Sequence, residues 1–204
     1  MKISLTNSKL GALIPSLNLP AIITCRKDAP CKHLCYACKG NFKYPNVTKS
    51  HLNNYQHFLN NPEDFFNEIK EFLKSPLRIY SFFRWHASGD IISKEYFINM
   101  IKIADACPDI KFLAFTKQFE IINEYVKVFG ISTIPNNLHI VFSMWDKNFK
   151  VENPYNFPTT WVDFKDKSQN PKIPEMAIPC IGKCWQCQSC WSLQQGQSVV
   201  FHQH

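Results

Sequence analysis

Leu77-Arg78-Ile79-Tyr80-Ser81-Phe82-Phe83-Arg84-Trp85 runs without a break into His86-Ala87-Ser88-Gly89-Asp90, and this junction decides the fold. The first part is short and dense in aromatic and apolar residues, as a strand buried on both faces is. Ser93 then offers an N-cap hydroxyl to a helix whose apolar face is Tyr96, Phe97, Met100, Ile101 and Ala104. Ile110 to Phe115 reads as the next strand, which completes a βαβ unit. The pattern repeats through Thr116-Lys117, a helix from about Phe119 to Phe129 ended by Gly130, and a strand from Leu138 to Met144. Successive βαβ units predict a mainly parallel sheet with right-handed crossovers, with strands 77–85, 110–115 and 138–144 adjacent in that order. The expected class is therefore α/β, a partial parallel (β/α) barrel or an open sheet. At 204 residues the chain is shorter than the about 250 of a full barrel.

Working outward, residues 1–24 alternate weakly and read as short strands or an extended arm. Asn46 or Thr48 caps a short helix to about Leu59. A stronger helix follows Asn61-Pro62, with Phe65, Phe66, Ile69, Phe72 and Leu73 at helical spacing and Pro76 as its stop. Beyond Trp145 prolines loosen the pattern around strands at Thr160–Phe164 and Met176–Pro179, and the tail Val199–His204 reads as an edge strand or a loose end. The expected division is an α/β domain over residues 1–165, carrying an N-terminal cysteine loop, and a small cysteine-rich C-terminal lobe over 166–204.

Hydrophobic residues make up 45% of the chain and Phe alone numbers 17, enough apolar surface for one sizeable core. Runs such as Ala12–Ile14 and Val199–Phe201 are far shorter than the roughly 20 residues of a spanning helix. Met1 to Asn7 lacks the charged and apolar regions of a secretory signal, so the expectation is a cytoplasmic protein without a membrane partner. The formal charge of +7 invites a nucleic-acid partner, but it counts every cysteine as a neutral thiol. Two four-thiolate metal centres of about −2 each would leave roughly +3.

Nine cysteines are too many for chance packing, and an odd count disfavours a closed disulfide framework. Cys107, before Pro108, reads as a buried small hydrophobe. The other eight form two compact sets, Cys25/Cys31/Cys35/Cys38 and Cys180/Cys184/Cys187/Cys190. In the first, Cys31-x3-Cys35-x2-Cys38 fits the CxxxCxxC string of radical S-adenosylmethionine enzymes, where three thiolates hold a cluster and leave one iron open for the cofactor. Ala37 stands where an aromatic usually precedes the third cysteine, and Tyr36-Ala37 after Cys35 suggests the register Cys25/Cys31/Cys35 with Cys38 spare. A four-cysteine zinc site is the alternative. The second set packs C-x3-C-x2-C-x2-C into a short stretch, the gaps of bacterial ferredoxin strings in reverse order, which favours a 4Fe-4S cubane. Trp185 and Trp191 would shield it, and His202 or His204 could add a nitrogen ligand.

Ligands of parallel sheets bind at the carboxyl ends of the strands. The residues expected there are His86, Ser88, Gly89 and Asp90, then Thr116 and Lys117, then Ser143, Trp145 and Asp146. Asp90, Lys117 and His86 are the candidate catalytic groups. Ser88, Gly89, Asp90, Thr116 and Ser143 are the candidate cofactor-binding residues, with Gly89 leaving the backbone bare for a ligand. Asp90 reads as a partly solvated loop carboxylate whose replacement by Asn costs little stability.

Cys31-x3-Cys35-Tyr36-Ala37-x-Lys39-Gly40-Asn41-Phe42, His86-Ala87-Ser88-Gly89-Asp90, Phe115-Thr116-Lys117 and Cys184-x2-Cys187-x2-Cys190 together resemble the gene product 88 domain family of phages and mobile elements, from about Leu5 to Trp191. The resemblance implies a phage, prophage or plasmid setting, hence a host cytoplasm, and it favours the Cys25/Cys31/Cys35 register, since that family usually carries an arginine-like residue at position 38. Its Cys-Tyr-Ala loop also looks like those of radical-SAM-related phage proteins. The leading expectation is a radical-SAM-like iron–sulfur enzyme, with S-adenosylmethionine as cofactor and a nucleobase, nucleotide or other small molecule as substrate. The alternatives are a zinc-stabilised nucleic-acid-binding accessory protein, and a base-exchange or hydrolytic enzyme in which Asp90 does the chemistry and zinc is structural.

Overall fold

The computed structural model of the chain describes residues 1–203; His204, paired above with His202 as a nitrogen donor, lies outside the described residues. Eight strands form one open sheet: β1 (Ile3–Ser4), β2 (Ser16–Leu17), β3 (Phe82–Trp85), β4 (Lys111–Thr116), β5 (Leu138–Ser143), β6 (Thr159–Asp163), β7 (Ile178–Pro179) and β8 (Ser198–His202). Their order is β1-β2-β3-β4-β5-β6-β8-β7, not closed into a barrel. Every pairing is parallel except β1 with β2. At the centre, β3, β4 and β5 lie side by side in the expected order, Trp85 opposite Ala114 and Thr116 opposite Phe142.

Three boundaries differ from the sequence expectation, each for a local reason. β3 starts at Phe82 rather than Leu77. Arg78 is bound to the Tyr80 carbonyl and the Asp109 carboxylate, which holds 77–80 outside the sheet and leaves Leu77 and Ile79 exposed. Helix α1 (Pro45–Asn60) opens with Pro45 after Tyr44, not at Asn46 or Thr48. Proline suits a first turn whose amides have no helical partner, and the Thr48 hydroxyl donates back to the Phe42 carbonyl. The tail is neither loose nor an edge: β8 pairs with β6 over five residues and with β7 on its other side.

The remaining helices follow the sequence. Asn61 caps α2 (Pro62–Lys74) by accepting from the Asp64 amide, and Ser93 caps α3 (Lys94–Ala106) by accepting from the Tyr96 amide. α4 (Phe119–Phe129) stops at Gly130, whose φ of +87° admits a left-handed turn. These helices lie on one face, where Phe65, Ile69, Phe97, Met100 and Ile122 pack on Phe83, Trp85, Phe112 and Phe142. Among the described residues no helix is long and apolar enough to cross a membrane.

The opposite face has no long helix. Leu113 and Val141 are covered there by Leu10 and Ile14 from the N-terminal arm and by Trp191, Leu193 and Val199 from the C-terminal segment. Trp191 is 1% exposed and its indole N–H donates to the Phe83 carbonyl at 3.2 Å. Residues 166–204 thus supply two strands and a buried indole to the sheet. Trp191→Ala is expected to cost about 3–5 kcal/mol in a single denaturant transition. A separate early transition for the C-terminal segment would show that it is held independently.

Candidate functional site

The end of β3 is shaped by two turns of unusual backbone. His86 has φ +54° and Gly89 φ +84°, and a Cβ at Gly89 would lie 2.7 Å from both Leu19 Cβ and Thr24 Oγ1. The close approach that the glycine permits is made by the chain itself. Ser88 serves the same junction, its hydroxyl donating to the Leu19 carbonyl at 2.9 Å. The His86 ring is 2% exposed and hydrogen-bonded to Tyr96 Oη at 2.9 Å, on the helix side of the sheet.

Asp90 does meet Thr116 and Lys117. Oδ1 accepts from the Thr116 hydroxyl at 2.6 Å and the Ile91 amide at 2.8 Å, while Oδ2 accepts from the Lys117 amide at 2.9 Å. Its own amide donates to Thr24 Oγ1 at 3.3 Å, one residue before Cys25. At 6% exposure it is no partly solvated carboxylate. Burial pushes its pKa up against the pull of these hydrogen bonds. Lys117 Nζ turns to Ser143 Oγ at 2.7 Å and lies 5.4 Å from the centre of the Trp145 ring. Asp146 accepts from the Asn148 amide and closes a turn.

The first cysteine set is fixed to this edge by Arg26, which sequence reading missed. Its guanidinium donates to the Lys117 carbonyl at 2.9 Å, grips Asp28 and Glu120, and stacks near Phe119 and Phe149. Tyr36 Oη donates to the Ala87 carbonyl at 2.7 Å, tying the loop to the end of β3. Ile22 holds φ +69°, rare for a β-branched residue, in the turn that leads to Cys25. Cys25 lies within the electrostatic reach of Asp90, Cys31 and Cys35. The Cys38 amide donates to the Cys35 carbonyl at 3.1 Å, and Cys38 is the exposed member of the set.

The second set closes on itself around α5 (Cys184–Cys187), a single turn followed by Gln188 at φ +54°. Cys180, Cys184, Cys187 and Cys190 all line one cavity, with Ile178, Ile181, Trp191 and Val199 in its walls. The Cys184 amide donates to the Lys9 carbonyl at 2.8 Å, the Gly182 amide to Cys180 Sγ at 3.4 Å, and Ser189 Oγ lies 3.0 Å from Cys187 Sγ. Trp185, expected as a shield, is 47% exposed and packs across Gly11. The ring of His202 is taken by Asp163.

Four sulfurs around a cavity, with the Gly182 amide aimed at one of them and apolar walls, fit a metal centre. Both a four-thiolate zinc site and a cubane cluster take a donor set of this kind. Burial pushes the thiol pKa of Cys25 and Cys190 up to about 12 and of Cys35 to about 11, so these groups stay protonated until a metal displaces the proton.

Among known proteins, the family model described as Gene product 88 matches residues 2–192. No curated protein and no solved structure matches the chain.

Burial, with the nearby Arg84 charge, lowers the His86 pKa from 6.5 to about 3. The unfolded chain takes up this proton near 6.5 and the folded one only near 3, so stability falls as pH drops through that window. His86→Gln is expected to flatten this part of the acid limb; superimposable limbs would refute it. Asp90→Asn places an amide against three donors and is expected to cost about 1.5–3 kcal/mol in urea unfolding, with a cost near zero as the contrary result.

Proposed function

The chain belongs to the gene product 88 family, and from its two cysteine sets we propose that it is an iron–sulfur enzyme of radical-SAM-like type. The observation that carries this reading is the ring of Cys180, Cys184, Cys187 and Cys190 about one apolar-walled cavity, on the crowded C-x3-C-x2-C-x2-C spacing of ferredoxin-like strings. Cys25, Cys31 and Cys35 would hold the first cluster at the carboxyl edge of the sheet, and the second set would hold an auxiliary one. With S-adenosylmethionine bound, the first cluster supplies reductive cleavage chemistry. Cys38 is the exposed thiol beside Cys35, and the three-ligand register leaves it out.

The chain's own side chains divide the remaining work. Lys117 and Ser143 present a cation and a hydroxyl 2.7 Å apart, a pair suited to a phosphate or carboxylate. Trp145, with the Lys117 ammonium over its ring, is the aromatic group beside them. Asp90 spends its oxygens on Thr116, Ile91 and Lys117 and so holds the Lys117 backbone in place rather than exchanging protons with substrate. The substrate class these groups fit is a nucleobase or nucleotide, consistent with a phage or mobile-element setting.

Anaerobic reconstitution with iron and sulfide tests the reading. The expected product is brown, with cubane absorption and iron for two clusters. Cys187→Ser removes one cluster and leaves the other, and Cys31→Ser does the reverse. A colourless protein holding stoichiometric zinc overturns the proposal, and loss of both centres in Cys187→Ser overturns their separation.

A further inference from the structure

Arg84 sits in the middle of β3 and is 6% exposed. Its Nε donates to the Trp85 carbonyl at 3.0 Å and its Nη2 reaches the His86 carbonyl at 3.4 Å. The guanidinium carbon lies 4.0 Å from the centre of the Phe115 ring. Among the described residues it makes no ion pair with a carboxylate. Phe115, and Phe82 two positions before Arg84, pack on the same cluster as Cys180, Cys184 and Cys190. The groups that act on its charge are Tyr36, Cys184, Cys190 and Asp90. Asp90, the carboxylate among them, is fully engaged elsewhere.

We infer that Arg84 is the built-in counter-cation of the thiolate centre formed by Cys180, Cys184, Cys187 and Cys190, and that its charge stays uncompensated until that centre takes up metal. This rests on the metal-centre part of the function proposed above, and neither on the reaction nor on which metal is bound. In the metal-free protein the buried guanidinium keeps its desolvation cost and gains only carbonyl dipoles and a ring face. Four thiolates around a dication carry about −2, which compensates that cation in a low-dielectric setting where attraction is strong. Lys9 also acts on Cys184, but its ammonium stands over the Phe201 ring on a part-exposed residue and is screened by water.

The consequence is a reversal of sign between the metal-free and the metal-loaded protein. Arg84→Gln keeps an amide donor for the Trp85 carbonyl and removes the charge. Arg84→Lys keeps the charge. The measurements are thermal unfolding of the reduced, chelator-treated full chain, and Co(II) titration against a competing chelator, followed by thiolate-to-cobalt absorption. Without metal, Arg84→Gln is expected to melt at or above the wild-type temperature. With Co(II), it binds at least tenfold more weakly in the part of the absorption that Cys187→Ser abolishes, and Arg84→Lys recovers most of that loss. A lower melting temperature in the metal-free Gln variant, or its failure to fold, makes Arg84 a structural group and overturns the inference. So does unchanged Co(II) affinity, or a Lys variant as weak as Gln. A wild-type protein that purifies with zinc removes the iron–sulfur reading alone, because cobalt reports on the thiolates whatever their native metal.

Discussion

Asp90 is the knot on which the carboxyl edge of the sheet depends. One carboxylate takes the Thr116 hydroxyl, the Lys117 amide and the Ile91 amide, while its own amide reaches Thr24 beside Cys25. It therefore joins the ends of two neighbouring strands to the start of the cysteine loop. A buried carboxylate is retained only where donors saturate it. Here the donors are the adjoining Ile91 amide and the Thr116–Lys117 pair after β4, and Thr24 accepts in turn from the Asp90 amide, so the same residue fixes the relative positions of three segments. Gly89 follows from this constraint: with Leu19 and Thr24 pressed against the turn, a side chain there has no room.

The sheet's two faces are filled by different means, and this explains where the cysteines lie. The connections between parallel strands place the four long helices on one side. The other side of β4 and β5 still carries Leu113 and Val141, which must be covered. The two ends of the chain do this, and both bring cysteines with them. Arg26 and Tyr36 lash one set to the carboxyl edge, while Trp191 seats the other against β3.

Much of this was legible in the residues. Apolar periodicity gave α2, α3, α4 and the β3-β4-β5 order, because those elements are decided by local pattern and short connections. The meeting of Asp90 with Thr116 and Lys117 was also readable, from their places after adjacent strands. What Asp90 does there was not, since Gly-Asp after a strand reads alike whether the carboxylate faces water or three buried donors. The true start of β3 depends on Arg78 finding Asp109, a tertiary pairing with no local signature. The placing of β8 between β6 and β7 has the same character, for nothing in Val199-Val200-Phe201 names its partners. Arg84 did leave a trace: a charge set among aromatic residues in Phe82-Phe83-Arg84-Trp85.

The two cysteine sets stand in different relations to the fold. The cavity of the second is walled by Ile178 and Pro179 of β7 and by Val199 of β8, so it exists only when those strands are paired. The Cys180 amide completes the dependence by donating to the Val200 carbonyl at 2.9 Å. Metal uptake there must then favour the paired strands, since a ligand that binds only the formed site lends its binding free energy to that formation. The first set lies on a loop held by side chains, Arg26 on Lys117 and Glu120 and Tyr36 on Ala87, with no strand of its own. Its metal would order a loop, whereas the second set's would secure one edge of the sheet, and the β3-β4-β5 centre between them owes its packing to neither.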